Sequence, residues 1–256
     1  MKVRFGASRG KIRTAIALAT VVTSALSGSV SALADGNSIG SDHWGVITRN
    51  TIGSPVAALR DGPFVTGIGS RPPYGNGSLG IEVANNSTTL PTPSEKVDFG
   101  NEVDFYGNRV RDLTHLGFHV FQTGENVNYA NDRNLPNIRI EANPNLASHP
   151  GDTYTTLVWL PPAVPTDRLN RWSKFLDATV LGGQWFLSGN ELSPRCTQAS
   201  PCDFTTLKNG LPQATIYSVA VGKGRDNLWV GAVDGLRINK YVYDFEADGV
   251  RARRVS

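Results

Sequence analysis

An all-β fold is predicted: a two-sheet antiparallel sandwich, jelly-roll-like, with at most one or two short helical turns. Three observations carry this. Roughly ten short segments alternate apolar and polar residues with a period of two. Gly-, Pro- and Asn-rich turn signals separate them. Almost no stretch repeats its apolar residues at helical spacing. Strands of this kind bury one face each and need a second layer to cover it.

The first segment, 1–34, reads as an export leader that is removed. Lys2, Arg4, Arg9, Lys11 and Arg13 precede an apolar stretch from Ala15 to Leu26, and Ala32-Leu33-Ala34 is a small-x-small cleavage site. The apolar stretch is too short and too rich in Thr and Ser to span a bilayer, and no other stretch approaches that length. Residues 35–62 are rich in Gly, Ser and Asn, with isolated Trp44, Val46 and Ile47; they form a loose N-terminal arm or a first edge strand. A single sandwich domain is expected over 63–248.

Within that domain, Arg71 to Gly77 is a loop, and Ser78 to Ala84 a half-buried strand with Leu79, Ile81 and Val83 inward and Glu82 outward. Lys96 to Tyr106 alternates weakly and carries Asp98, Glu102 and Asp104. Leu113 to Gln122 is a strand with Leu116, Phe118 and Val120 on one face; Ile138 to Ala142 is another. Thr153 to Leu160 is β-branched and aromatic, ended by Pro161-Pro162. Trp172 to Val180 and Gln184 to Leu187 read as two more strands. Asp203 is a good N-cap for one short helical turn from Phe204 to Asn209, closed by Gly210. Ala214 to Val221 is a strand, and Leu228 to Glu246 a closing hairpin turning at Asn239-Lys240. Its register sets Ile238 opposite Tyr241, Leu236 opposite Tyr243 and Asp234 opposite Phe245. Residues 249–256 are a basic tail with Arg251, Arg253 and Arg254, read as a solvated terminus.

Charge and cysteine content bound the function. The leader holds five of the 25 basic residues and none of the 22 acidic ones, so the remainder is slightly acidic. Nucleic-acid binding has no electrostatic support in such a chain. The two cysteines, Cys196 and Cys202, are expected to form a disulfide, because exported chains pair their cysteines and the spacing is not a redox CxxC. An extracellular location and a monomeric state are expected.

Several stretches together carry a resemblance. Gly-Asn-Gly-Ser-Leu-Gly-Ile-Glu-Val (75–83), Arg-Asp-Leu-Thr-His-Leu (111–116), Trp185, Val-Gly-Ala-Val-Asp-Gly-Leu-Arg-Ile (230–238) and Tyr-Asp-Phe-Glu (243–246) are similar to a group of secreted, often actinobacterial, β-sandwich proteins of uncertain role. Val-Asp-Gly-Leu-Arg-Ile (233–238) also resembles the last-strand pattern of jelly-roll carbohydrate-binding modules. The second likeness implies a jelly roll and sugar binding.

Four constellations could carry chemistry. Gly100 to Gly107 resembles the Glu-x-Asp-x-x-Glu strand of laminarinase-type glycoside hydrolases, with Glu102 and Asp104 at the first two acids. Gly107 stands where the proton donor belongs, so that mechanism lacks one of its two carboxylates. Asp98, Glu102, Asp104 and Asp234 are candidate oxygen ligands for a structural Ca²⁺. His115 and His119 share a predicted strand face, but zinc would need at least a third ligand. Trp159, Trp185, Tyr217 and Trp229 lie on predicted strands as candidate sugar platforms, against the alternative that large aromatics fill the core. Asp234, on the apolar face of the hairpin, must be hydrogen-bonded, paired or metal-bound, or be turned outward by a bulge at Gly235. The expected function is non-catalytic binding of extracellular glycan or cell-wall polysaccharide. The alternatives are a polysaccharide-cleaving hydrolase or lyase on a jelly-roll sheet, and a structural surface or matrix protein.

Overall fold

A computed structural model describes residues 38–83, 95–128, 134–162, 164, 168–180, 182–188, 196–225 and 227–255. The leader expected over 1–34 lies outside them. The described chain is built of strands in two antiparallel sheets, with one α-helix and a few 3-10 turns.

The first sheet contains β1 (Ser38–Ser41), β3 (Val56–Asp61), β4 (Gly77–Val83), β6 (Leu116–Gln122), β9 (Leu176–Asp177), β12 (Trp229–Ile238), β13 (Tyr241–Glu246) and β14 (Gly249–Arg254). Its main path runs β1-β14-β13-β12-β4-β3, with β6 on the other edge of β12 and β9 beyond it. The second sheet contains β2 (Trp44–Val46), β5 (Val97–Asn101), β7 (Asn137–Asn143), β8 (Thr155–Leu160), β10 (Gln184–Ser188) and β11 (Thr215–Lys223), in the order β10-β8-β7-β11-β5-β2. The chain passes repeatedly from one sheet to the other, so both inner faces are supplied from all along the sequence. Leu79, Ile81, Val83, Leu116, Phe118 and Val120 of the first sheet bury against Ile138, Ile140, Leu157, Trp159, Val219 and Val221 of the second. The alternation read for these strands is the alternation observed, Glu82 included, which is exposed.

The closing hairpin has the expected register: Leu236 pairs with Tyr243, Arg237 with Val242 and Ile238 with Tyr241. Asn239 takes the left-handed conformation (φ 56°) that a two-residue hairpin turn requires. Between Asp234 and Arg237 the pairing of β12 with β6 shifts register, and Gly235 sits at φ +63°. That shift coincides with a fork. β4 pairs with residues 229–233 of β12, and β13 with residues 236–238. Asp234 stands in the gap between them.

Four readings differ. The strand expected over 96–106 ends at Asn101, because the Asn101 side-chain oxygen accepts the N–H groups of Val103 (2.9 Å) and Asp104 (2.8 Å) and curls the chain into a turn. Of 172–180, only the two residues of β9 and a single bridge from Trp172 to Phe121 are paired. There Ser173 Oγ takes the N–H of Val120, and the Asp177 carboxylate turns back to the N–H of Thr179. From Ser38 onward the segment expected over 35–62 supplies three edge strands in place of one, β1, β2 and β3. The basic tail is likewise a strand. β14 pairs with β13 on one side and β1 on the other, and Arg253 Nη2 reaches the buried Asp244 carboxylate at 2.7 Å.

Helix α1 (Phe204–Gly210) is capped by Asp203, whose carboxylate accepts the Thr206 N–H at 2.6 Å. Cys196 and Cys202 are bonded, as expected. Their loop lies along β10, with Cys202 bridged to Trp185 and the Leu187 N–H donated to the Cys196 carbonyl. Among the described residues no helix is long and apolar enough to cross a membrane.

Candidate functional site

A concavity of about 660 Å³ opens where the tip of the β12–β13 hairpin meets the turn after β5 and the segment before β6. Three local bonding patterns build it. The Asn101 turn swings 102–107 out of the second sheet. The chain is then zipped onto the start of β11: Gly107 and Val110 donate their N–H groups to the carbonyls of Ile216 (2.8 Å) and Ala214 (3.0 Å). Finally Asn239, at the hairpin tip, accepts the Thr114 N–H at 2.7 Å and donates to the Asp112 carbonyl at 3.1 Å. One asparagine thus sets the hairpin turn and clamps the facing wall.

The floor is apolar and aromatic: Phe105, Ile216, Ile238 and Tyr243 are buried and Tyr241 half-buried. Tyr243 belongs to a ring cluster that continues inward, 5.0 Å from Trp44 and 5.8 Å from Phe105 between centroids. Lys240 lies over the Tyr241 ring at 5.5 Å. The rim carries hydrogen-bonding side chains, namely Asp104, Asn108, Arg109, Asp112 and His115. A smaller concavity of about 380 Å³, lined by Ser41 and His43, shares Asp104, Tyr241 and Tyr243 with the first. The two form one groove with a ridge between them.

Asp104 on that ridge is held by three partners: Ser41 Oγ donates at 2.9 Å, Asn101 Nδ2 at 2.7 Å, and His43 Nδ1 stands at 2.6 Å. Burial raises its pKa, but the bonds from His43, Asn101 and Ser41 outweigh burial and hold it below the usual carboxylate range. It is a charged acceptor. In a nucleophilic triad the histidine stands between serine and acid; in this cluster the acid stands between serine and histidine, so the serine donates to a carboxylate and not to an imidazole. The Tyr243 hydroxyl is pushed up to about 12, by burial first and then by the Asp104 charge, and stays a donor.

The residues singled out by sequence do not gather here, Asp104 excepted. Trp159, Trp185 and Trp229 are core: each is almost wholly buried, Trp159 against Phe118 and Trp185 with its Nε1 donating to the Ala178 carbonyl. They offer no sugar platform, because β8, β10 and β12 turn them between the sheets. Tyr217 is half-buried at the β11 bulge, outside the groove and 6.1 Å from the exposed Tyr106 ring. Asp98 lies on the outer face of the second sheet between Lys96 and Arg139. Glu102 pairs with Arg49. Asp234 accepts the N–H groups of Phe245 (3.1 Å) and Tyr74 (3.0 Å). The four acids proposed for Ca²⁺ therefore sit in four separate places, each engaged by donors. Among the described residues no three His, Cys, Asp or Glu side chains gather as a metal site would require. His115 and His119 also part: His115 is on the groove rim, while His119 is half-buried with Nδ1 at 3.0 Å from the Ser173 carbonyl.

Acids with raised pKa do exist, but not in the groove. Burial pushes Asp234 up to about 8, Asp244 up to about 6 and Asp98 upward. Each is enclosed in the fold, Asp234 and Asp244 in the first sheet and Asp98 in the second. The groove residues that sequence reasoning passed over are Phe105, Asn108, Arg109, Tyr241 and Tyr243. Only the tyrosines carried a signal, in the alternation of the hairpin. Comparison of the chain with protein-family models, with curated proteins and with solved structures finds no match.

Proposed function

We propose that this chain is an exported, non-catalytic, jelly-roll-like sandwich that binds extracellular or cell-wall polysaccharide in the groove beneath the hairpin tip. The observation that carries the reading is the groove itself, with tyrosines and apolar side chains on its floor and charged and amide groups on its rim. A pyranose presents an apolar face of C–H groups and an equator of hydroxyls, and it needs both kinds of surface. Asp104, charged and fixed, accepts from sugar hydroxyls; Asn108 and Arg109 donate to them. The basic-then-apolar leader and the disulfide support an extracellular setting.

The test is a glycan array with the purified protein, with and without calcium chelation, followed by titration of any glycan retained. Tyr241→Ala is expected to weaken retention about tenfold, the equivalent of about 1.4 kcal/mol, without lowering the melting temperature appreciably. Retention of no glycan in either condition, or retention indifferent to Tyr241 and Asp104 substitutions, would overturn the proposal.

A further inference from the structure

A second concavity, of about 630 Å³, lies on the outer face of the other sheet, away from the hairpin groove. The pleat dictates its floor. Ile138, Ile140, Leu157, Trp159, Trp185 and Leu187 point into the core, so Arg139, Val158 and Phe186 point out. Arg139 pairs with Val158 and Val158 with Phe186, which makes one row across β7, β8 and β10. Val158, Leu160 and Phe186 give this concavity an apolar floor, and Lys96, Arg139 and Arg225 line it with cations. None of the described residues lining it is an acid.

A buried carboxylate lies below Lys96 and Arg139. Asp98 is only 2% exposed, with Arg139 Nε at 3.3 Å and Lys96 Nζ at 3.6 Å; their side chains are 15% and 21% exposed. Gly222 makes the arrangement possible, because a Cβ there would fall 1.9 Å from Asp98 Oδ1 and 3.0 Å from Arg139 Cδ. Two cations thus share one buried acid, and both contacts are longer than a charge-assisted hydrogen bond. Arg139 Nε is buried without a hydrogen-bond partner. Glu141, the next acid outward along β7, is committed elsewhere, to Arg49, Asn50, Tyr154 and Ser218.

We propose that this concavity is a second binding site, which takes a ligand carrying an oxyanion on an apolar or ring-shaped body. The guanidinium of Arg139 and the ammonium of Lys96 receive the carboxylate, sulfate or phosphate group, and the body lies over Val158, Leu160 and Phe186. An anion there meets a guanidinium and an ammonium whose contacts to Asp98 are both longer than a charge-assisted hydrogen bond. The volume is that of a small-ligand site. The site shares no residue with the hairpin groove and stands or falls independently of it.

Isothermal titration of the purified protein with a uronic-acid oligosaccharide, its neutral counterpart of equal length, and inorganic phosphate tests the proposal and separates the sources. The acidic oligosaccharide is expected to bind at this site at least tenfold more tightly than the neutral one, with affinity falling as salt rises. Competition by phosphate assigns recognition to the oxyanion alone; tight oligosaccharide binding that phosphate does not displace assigns it to anion and ring together. Arg139→Gln should weaken binding about tenfold. If Arg139→Gln does not fold, because Asp98 is left unpaired, Arg139→Lys keeps the charge, removes the fork and should still weaken binding, as should Phe186→Ala on the floor. Tyr241→Ala should leave this binding unchanged, which distinguishes the site from the groove. Equal affinity for acidic and neutral ligands and no binding of phosphate, or indifference to the Arg139 and Phe186 substitutions, would overturn it.

Discussion

Asp234 shows how one carboxylate can replace a missing strand partner. Where β4 leaves β12 and β13 begins, the N–H groups of Tyr74 and Phe245 have no strand carbonyl opposite them, and the two Asp234 oxygens serve instead. Removing that acceptor leaves buried donors unsatisfied. Asp234→Ala is therefore expected to cost about 2–4 kcal/mol in urea unfolding. Its titration has a definite sign. Burial raises the folded-state pKa from 3.8 to about 8, helped by the charge of Asp244, whose own value rises to about 6. The folded state then binds these protons more tightly than the unfolded state, so this contribution is whole below about pH 4 and is lost as pH rises toward about 8. Asp104 and Glu141 act oppositely. Their pKa values are lowered, so their contribution is present above the ordinary carboxylate range and is lost on acidification through it. The melting temperature should therefore peak in mildly acidic buffer and decline from about pH 5 to 8.5. Asp234→Asn should flatten the upper part of that decline; a melting temperature that rises steadily to pH 8.5 would count against the assignment.

Among elements, β14 has the most dependent on it. It is the only described link between β1 and the rest of its sheet, and it brings Arg253 to a carboxylate with no exposure. Arg253→Ala should destabilise by about 3 kcal/mol or more, since Asp244 would remain buried and uncompensated, and Asp244→Asn in the same chain should recover much of the loss. Thermal melts of the two single variants and the double variant form the cycle that checks this. The contrast between legible and illegible elements has one cause. β4, β6, β7, β8 and the hairpin each carry an alternating pattern long enough to declare which face is inward. The strands expected over 96–106 and 172–180 are stopped because Asn101 and Asp177 accept backbone N–H groups two or three residues ahead, and a strand-like pattern does not register such bonds. β1 and β2 are held by partners far away in the chain, and β14 is studded with arginines, so composition alone suggested loose ends.

Across the whole molecule the groove was less legible than the fold, because no single stretch contains it. Segments 41–43, 104–115 and 237–243 are far apart in the chain and meet only in the folded molecule, and the tryptophans that looked most like a ligand platform were claimed by the core. That core is also why the disulfide has a modest share in stability. Cys196–Cys202 closes a short loop at the side of β10, and by loop entropy contributes about 2 kcal/mol. Reduction should lower the melting temperature by several degrees while leaving a cooperative transition and a native far-ultraviolet spectrum; collapse of the fold on reduction would show that the bridge bears more than its loop.

The pairing of β1 with β14 orders events in time. Ser38 lies opposite Arg253, so β1, the first of the described strands, has no neighbour until β14 has been made. A nascent chain consequently carries an unfinished sheet edge until β14 has been made, and closing it brings together two strands more than two hundred residues apart. Folding with so distant a closure is expected to be slow, on the order of seconds, as for other β-proteins rich in long-range pairings. During that interval the chain is open to a chaperone or to a second copy of itself.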